Sequence, residues 1–430
     1  MIIEISIKNF RSIKDEQTIS FEATDSKELD QYLVFEPRLA YPRKTPLRLL
    51  KLNLIYGANG SGKSTIIDSL KVLDCLLRKP AKDKDEKIPF IAPFKFNETT
   101  KNEPSTFKIS FIAQDKIVYH YEVTATQDYI AEEILYSTAP GKGLVFHRTT
   151  DPDKKISALD IKNRAQMKND DKNTLGNSTL WNSTVIATYS SLNIESPILD
   201  AIVDWAEHTL MLPVDPRTNL KQYISERIEN EKINKSQVIQ FMKEADFCVS
   251  DLVFKKAILG EHELELVDKL KEADEPVAKD FLDRLLNKKD LYFTHTVDGN
   301  NYDLKYKEES MGTQRYYQLS GLLDFVTSQN KIIPIDEFES SLHPDLIQHF
   351  LASYIRTPHQ SQMLITTHYR EFLLNKDNFR KDSIWFCDKS KDCSSTEIYS
   401  LLDFDTKTIR ETSSIYNAYK AGKLGGTPNI

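Results

Sequence analysis

The 430-residue chain has only four cysteines, Cys75, Cys248, Cys387 and Cys393, and no two of them stand at CxxC spacing. That argues against a disulfide framework or a zinc site and fits a reducing cytosol. No apolar stretch is long enough to span a bilayer, so no membrane association is expected. The opening Met1-Ile2-Ile3-Glu4-Ile5-Ser6-Ile7 lacks a basic leader and a small-residue cleavage site, and it alternates like a strand instead. Positive charge is not in excess either. The formal net charge is −7, which argues against a broad nucleic-acid-coating surface but leaves room for a local basic groove. Apolar heptads are not sustained, so no long coiled-coil arm is expected. Internal repeats are absent, and the length fits two or three domains, or one large domain carrying an insertion.

What is present is more decisive. Residues Gly57-Ala58-Asn59-Gly60-Ser61-Gly62-Lys63-Ser64-Thr65 read G-x-x-x-x-G-K-[ST], the phosphate loop of ATP- and GTP-binding proteins. The apolar run Leu52–Tyr56 upstream reads as a buried strand, and Ile66, Ile67, Leu70, Leu73, Leu76 and Leu77 downstream recur at helical spacing. Strand, glycine loop and helix is the order this chemistry needs. Successive backbone N–H groups curl around phosphate oxygens, and the helix N-terminus adds a favourable dipole. Lys63 is placed to reach the β- and γ-phosphates and Ser64 to hold Mg²⁺.

Far downstream, Lys331-Ile332-Ile333-Pro334-Ile335-Asp336-Glu337 is an apolar strand ending in two carboxylates. Paired with a phosphate loop, it assigns Asp336 to orienting Mg²⁺ and Glu337 to polarising the water that attacks the γ-phosphate. Pro334 removes a ladder donor from a strand expected to be central, so a bulge or an unpaired amide side is expected there. Pro344 fits the first turn of a helix through Leu346, Ile347, Phe350 and Leu351. Met363-Leu364-Ile365-Thr366-Thr367-His368 reads as a further buried strand, with His368 at the tip where a γ-phosphate sensor belongs.

Between these motifs the pattern changes twice. Residues 107–112 and 117–123 alternate around a Gln114-Asp115-Lys116 turn, as an antiparallel meander does. Residues 151–177, rich in Lys, Asp and Asn, read as a solvated connector. From about Val185 to Leu291 the spacing turns helical, with charged faces. The expected organisation is therefore residues 1–180 as the first part of a nucleotide-binding head, 181–295 as a helical insertion, and 296–430 as the second part of the head.

In order and content these motifs resemble the ABC-type ATPase heads of the SMC-like class. The resemblance is carried by the phosphate loop, Asp336-Glu337, Ser341-Leu342-His343-Pro344, Thr367-His368 and the opening Ile7-Lys8-Asn9-Phe10-Arg11-Ser12. Within that class the chain is most similar to the AAA15-type, AbiL-like ATPases of prokaryotic phage-defence loci, including the ATPase subunit of PARIS-type systems. The ending Tyr419-Lys420-Ala421-Gly422-Lys423-Leu424-Gly425-Gly426-Thr427-Pro428 is similar to the short tail of that group. The resemblance covers both ends of the chain well and the middle poorly. It implies an α/β fold: a mixed sheet flanked by helices, an antiparallel β subdomain and a helical insertion. It also implies ATP and Mg²⁺ as cofactors and hydrolysis between two copies. Each copy would offer a Ser-x-Gly helix start to the other, here Ser310 and Gly312 in Glu309-Ser310-Met311-Gly312-Thr313-Gln314, which departs from the commoner Leu-Ser-Gly-Gly-Gln. An ordinary helix N-cap at Ser310 is the competing reading. Arg11 reads equally as a nucleotide contact or a surface arginine, and no convincing Q-loop is found.

No second catalytic constellation appears in the sequence. The expected function is an ATP-hydrolysing switch of an antiphage, abortive-infection type. It would be a homo-oligomer controlling a separate effector protein of the TOPRIM-nuclease kind. The alternatives are an SMC-like ATPase that clamps DNA and, less in keeping with the N-terminus and tail, a transporter ATPase.

Overall fold

The computed structural model describes residues 1–272, 276–374, 379–390, 395–404 and 415–427. Cys393 and Pro428 lie outside the described residues. By internal contacts the chain forms two compact units, residues 1–218 with 326–340 and 351–430, and residues 219–325 with 341–350.

The first unit holds two large sheets. One is a seven-stranded antiparallel sheet: β1 (Ile2–Lys8), β2 (Gln17–Ser20), β6 (Ser105–Ile112), β7 (Val118–Ala125), β8 (Ile130–Ser137), β9 (Gly143–Asp151) and β10 (Ile156–Ile161), in the order β10-β9-β8-β7-β6-β1-β2. The expected meander is there and is longer than the sequence suggested. The 151–177 stretch is not a connector. It supplies β10, which pairs with β9 alone and alternates exposed with half-exposed residues, and the helix Asn169–Ser178. A sheet edge tolerates polar side chains on both faces, so composition hides it.

The second sheet carries the motifs. β5 (Leu52–Tyr56), β14 (Ile332–Ile335), β15 (Gln362–Thr367) and β16 (Ile384–Lys389) run parallel, and β17 (Thr396–Ser400) closes the sheet antiparallel, in the order β14-β15-β5-β16-β17. A two-stranded ribbon of β3 (Val34–Phe35) and β4 (Leu49–Leu50) accompanies them. The helix Lys63–Arg78 follows the phosphate loop. It buries Ile66, Leu70, Leu73 and Leu77 in the main core, each worth roughly 1.5–3 kcal/mol. The Phe111 and Trp205 rings stack at 4.0 Å between the meander and the helix Pro197–His208. Gln362, wholly buried at the start of β15, accepts from the Ile2 amide at 2.6 Å and donates to the Ile2 carbonyl at 2.8 Å, tying the two sheets together.

Pro334 turns out to sit on the outermost parallel strand, not a central one. Ile332 and Asp336, in the same backbone phase, donate to the carbonyls of Thr209 and Val214 on the outer side. The missing donor of Pro334 therefore falls on that irregular outer flank, and the ladder to β15 keeps its hydrogen bonds.

The second unit is not purely helical. The helices Lys221–Glu229 and Lys235–Glu244 are present, and so are β11 (Asp251–Lys256), β12 (Lys289–Val297) and β13 (Asn300–Lys305), an antiparallel sheet in the order β11-β12-β13. Its lysine-rich strands obscured the alternation. The core of this unit is aromatic: Phe241 stacks on Tyr316 at 5.3 Å, and the Tyr316 hydroxyl meets His349 Nδ1 at 2.5 Å.

Candidate nucleotide site at the carboxyl edge of the parallel sheet

β5, β14 and β15 are parallel, so Gly57, Asp336 and His368, each directly after its strand, emerge at one edge of the sheet. The loop that begins at Gly57 tolerates little beyond glycine at its two ends. Gly62 has φ 109°, and a Cβ there would lie 2.1 Å from Thr396 Oγ1 and 2.8 Å from Ser12 Oγ. A Cβ on Gly57 would lie 2.5 Å from both the Cys387 carbonyl and Ser61 Oγ. The loop is braced from behind by the Thr396 hydroxyl, which donates to the Ser61 carbonyl at 2.7 Å, and by Ser12, 2.9 Å from Thr65 Oγ1. By contrast Asn59, Gly60 and Ser64 are open to solvent.

Lys63 is buried, and its ammonium curls back to donate to the Gly57 and Ala58 carbonyls at 2.7 and 3.0 Å. Burial lowers its pKa. The charges of Cys387, Asp336, Glu339 and Glu337 stand near enough to oppose that shift. Burial pushes the Cys387 thiol behind the loop up to about 12, against the pull of Ser61 and Lys63.

The acidic pair is organised by one side chain of the neighbouring strand. The Thr366 hydroxyl donates to Asp336 Oδ1 and accepts from the Glu337 amide at 2.9 Å. Glu337 holds φ 46°, an uncommon conformation for a non-glycine residue, while the next residue, Phe338, is wholly buried and anchors the turn. His368 is exposed, but its amide and its Nδ1 both bond Glu339 Oε1, at 2.8 and 2.7 Å. A carboxylate this close to Nδ1 favours the proton on that nitrogen and leaves Nε2 as the free ring nitrogen. The other Glu339 oxygen is buried with no hydrogen-bond partner among the described residues.

A cleft of about 590 Å³ opens beside the loop, with Asn59, His368, Arg370, Asp388, Gly426 and Thr427 in its walls. Arg11, at φ 50°, forms an ion pair with Asp68 on the loop helix, and Asp68 is near enough to Asp336 to feel its charge. Gln114 sits in the turn between β6 and β7. Ser310 and Gly312 belong to the second unit. There the Ser310 hydroxyl accepts from the Thr313 amide at 3.1 Å at the start of the helix Met311–Gln329, so the helix-cap role is realised.

The site also holds residues to which the sequence assigned no role: Thr366, Glu339, Thr396, Ser12, Arg370, Asp388 and the tail residues Gly426 and Thr427. Glu339 had a faint signal, since it lies two positions after Glu337. The others reach the site only through strand order.

The arrangement fits a magnesium nucleotide. An open backbone loop, a buried ammonium, an exposed hydroxyl at Ser64 and a carboxylate at Asp336 are the donors that Mg²⁺ and phosphates share. Among the described residues no cluster of three or more His, Cys, Asp or Glu is built to hold a metal by itself.

A family model described as "AAA domain, putative AbiEii toxin, Type IV TA system" matches residues 52–374. The chain belongs to this family. The match runs from the strand before the phosphate loop past His368. Among solved structures the chain is similar to the SMC head domain from Thermotoga maritima, 13% identical at a TM-score of 0.39, covering 93% of this chain and 98% of that one. An SMC head bound to the C-winged helix domain of ScpA is 13% identical at 0.40, covering 95% and 99%. The recombination mediator protein RecF is 16% identical at 0.35, covering 89% and 97%. No curated protein matches the chain. The fold has the expected mixed sheet carrying the phosphate loop and a separate antiparallel β layer. No helix among the described residues is long and apolar enough to cross a membrane.

Proposed function

We propose that this chain is an ATP-binding and hydrolysing switch that governs a separate effector protein, in the manner of the AAA15-type defence ATPases its motifs resemble. The observation that carries the nucleotide half of the proposal is that the phosphate loop, Asp336-Glu337 and His368 emerge at one edge of the parallel sheet, with the charges of Asp336, Glu339 and Glu337 near enough to act on Lys63. Bound Mg²⁺ would neutralise phosphate charge and be held through Ser64 and Asp336. Lys63 would leave the Gly57 and Ala58 carbonyls for the phosphates. Glu337, held by its backbone bond to Thr366, would orient the attacking water and take its proton. His368, fixed through Glu339, would present Nε2 to the terminal phosphoryl group.

The family description, with its toxin and antitoxin vocabulary, supports the switch half. Closure between two copies would use Ser310 and Gly312, whose helix start supplies backbone N–H groups. The effector, of the TOPRIM-nuclease kind, would be another polypeptide. Purification from the native host tests this directly. A second protein should co-purify, and the ATPase alone should leave DNA intact. ATP-dependent DNA binding with a steep salt slope and no protein partner would instead favour a DNA clamp.

A further inference from the structure

Residues 415–427 reach the phosphate loop. After the helix Ile415–Lys420 the backbone turns through Gly422, Gly425 and Gly426, all at positive φ of 63–71°. Three hydrogen bonds then fix the segment. The Tyr399 hydroxyl donates to the Leu424 carbonyl at 3.0 Å, the Tyr419 hydroxyl to the Gly426 carbonyl at 2.9 Å, and the Gly426 amide to Asp388 Oδ2 at 2.9 Å. The Tyr419 ring meets Tyr56, the residue before Gly57, edge-on at 5.6 Å.

Contact with the loop itself is direct. A Cβ added to Gly426 would lie 3.4 Å from Gly57 Cα, and one added to Gly425 would lie 2.0 Å from the Tyr399 hydroxyl. Gly57 thus lies against both Cys387 and the Gly426 backbone. A segment that packed only to hide apolar surface would need no more than Leu424 and Tyr419, both buried. Gly426 and Thr427 lie past those anchors, bring little apolar surface, and still form part of the cleft wall beside Asn59 and His368.

We propose that the segment Tyr419–Thr427 is a positioning element of the nucleotide site, closing one wall of the cleft and holding Gly57 in place, so that triphosphate binding and tail docking reinforce each other. The proposal rests on the nucleotide reading above and adds this segment to it. Linkage requires reciprocity: a docked tail tightens nucleotide binding, and bound nucleotide holds the tail.

The test uses the full chain, a chain ending after Lys423, and Gly426→Val, which keeps the apolar anchors, each titrated with a fluorescent ATP analogue and Mg²⁺. Both variants should bind about tenfold more weakly than the wild type. Should the shortened chain fail to fold, Gly426→Val decides. In the wild type, ATP should slow hydrogen exchange at residues 424–427, and in Lys63→Ala it should not. Binding within twofold of wild type in Gly426→Val, or tail exchange indifferent to ATP while the analogue binds, overturns the proposal and leaves the nucleotide reading standing. A wild-type chain that binds no analogue, or a Lys63→Ala variant that binds it equally well, overturns the nucleotide reading and this proposal with it.

Discussion

One carboxylate oxygen of Glu339 holds His368 twice, accepting a hydrogen bond from its backbone amide and lying 2.7 Å from its imidazole Nδ1. The interaction spans the exits of two parallel strands and fixes the position of the histidine. Glu339→Ala should therefore lower ATP turnover about tenfold while leaving nucleotide affinity within about threefold, since binding energy comes chiefly from the phosphate loop. Glu339→Asp should recover little, because the shorter side chain cannot reach both donors. Single-turnover hydrolysis beside equilibrium binding checks the split. Equal losses in both would show that Glu339 merely holds the fold.

The three charged groups of the cleft should separate by function. Lys63→Ala should weaken nucleotide binding. Glu337→Gln should preserve binding, stall turnover by on the order of a hundredfold or more, and trap a closed assembly visible by light scattering with ATP and Mg²⁺. Asp336→Asn should remove Mg²⁺-dependent turnover. A Glu337→Gln variant that hydrolyses ATP at the normal rate would remove Glu337 from the role of base.

Gly62 should accept no side chain. Alanine there would place its Cβ 2.1 Å from Thr396 Oγ1, at a backbone φ of 109°. Relief requires moving the hydroxyl that braces Ser61, so Gly62→Ala should cost affinity as well as about 1–3 kcal/mol of stability. Nucleotide titration and urea unfolding of the same preparation check both. A variant that binds and unfolds like the wild type would show that the brace is dispensable.

How much of this could be read from the chain follows from distance along it. The phosphate loop, the Asp336-Glu337 pair and His368 are local patterns, each a strand with its exit, and strand periodicity is short-range information. Residues 156–161 escaped because an edge strand with Ser, Asp and Lys nearby looks like a connector. β11 and β12 escaped because lysines sit on a sheet that buries only part of itself. Pro334 looked anomalous only while its strand was assumed central. Thr366, Glu339 and the tail against Gly57 escaped for another reason. Their roles depend on β15 lying between β14 and β5, and on residues 57 and 426 meeting, which nothing within any local window specifies.

In the meander, Arg148 is wholly buried and donates to the carbonyls of Ile130, Leu180 and Trp181 at 2.9–3.3 Å, close enough to Glu133 to hold down a carboxyl that burial raises. Glu133 also accepts from the Tyr121 hydroxyl and the Val185 amide. Arg148→Met would leave three carbonyls without donors and a buried carboxylate without its cation. The expected loss is about 3–5 kcal/mol in urea unfolding, and the double variant Arg148→Met, Glu133→Gln should recover part of it. A loss under about 1 kcal/mol would mean that water replaces the guanidinium.

His359 should make the protein acid-sensitive. Its Nε2 donates to the Tyr354 carbonyl at 2.7 Å, and its Nδ1 accepts from the Ser361 amide at 3.1 Å, so the neutral ring is the one that fits. Burial pushes its pKa down to about 4; the Tyr354 carbonyl pulls the other way, and the charge of Lys51 adds to the lowering. The ordinary value is near 6.5, so the unfolded chain takes up the proton first as the pH falls. Stability from this group is whole above about pH 6.5 and is lost progressively down to about pH 4, by roughly 2–3 kcal/mol in all. Melting temperature measured across that interval should fall in the wild type and fall less in His359→Gln, whose amide can still donate to Tyr354 but does not titrate. Parallel curves for the two proteins would assign the acid sensitivity to other groups.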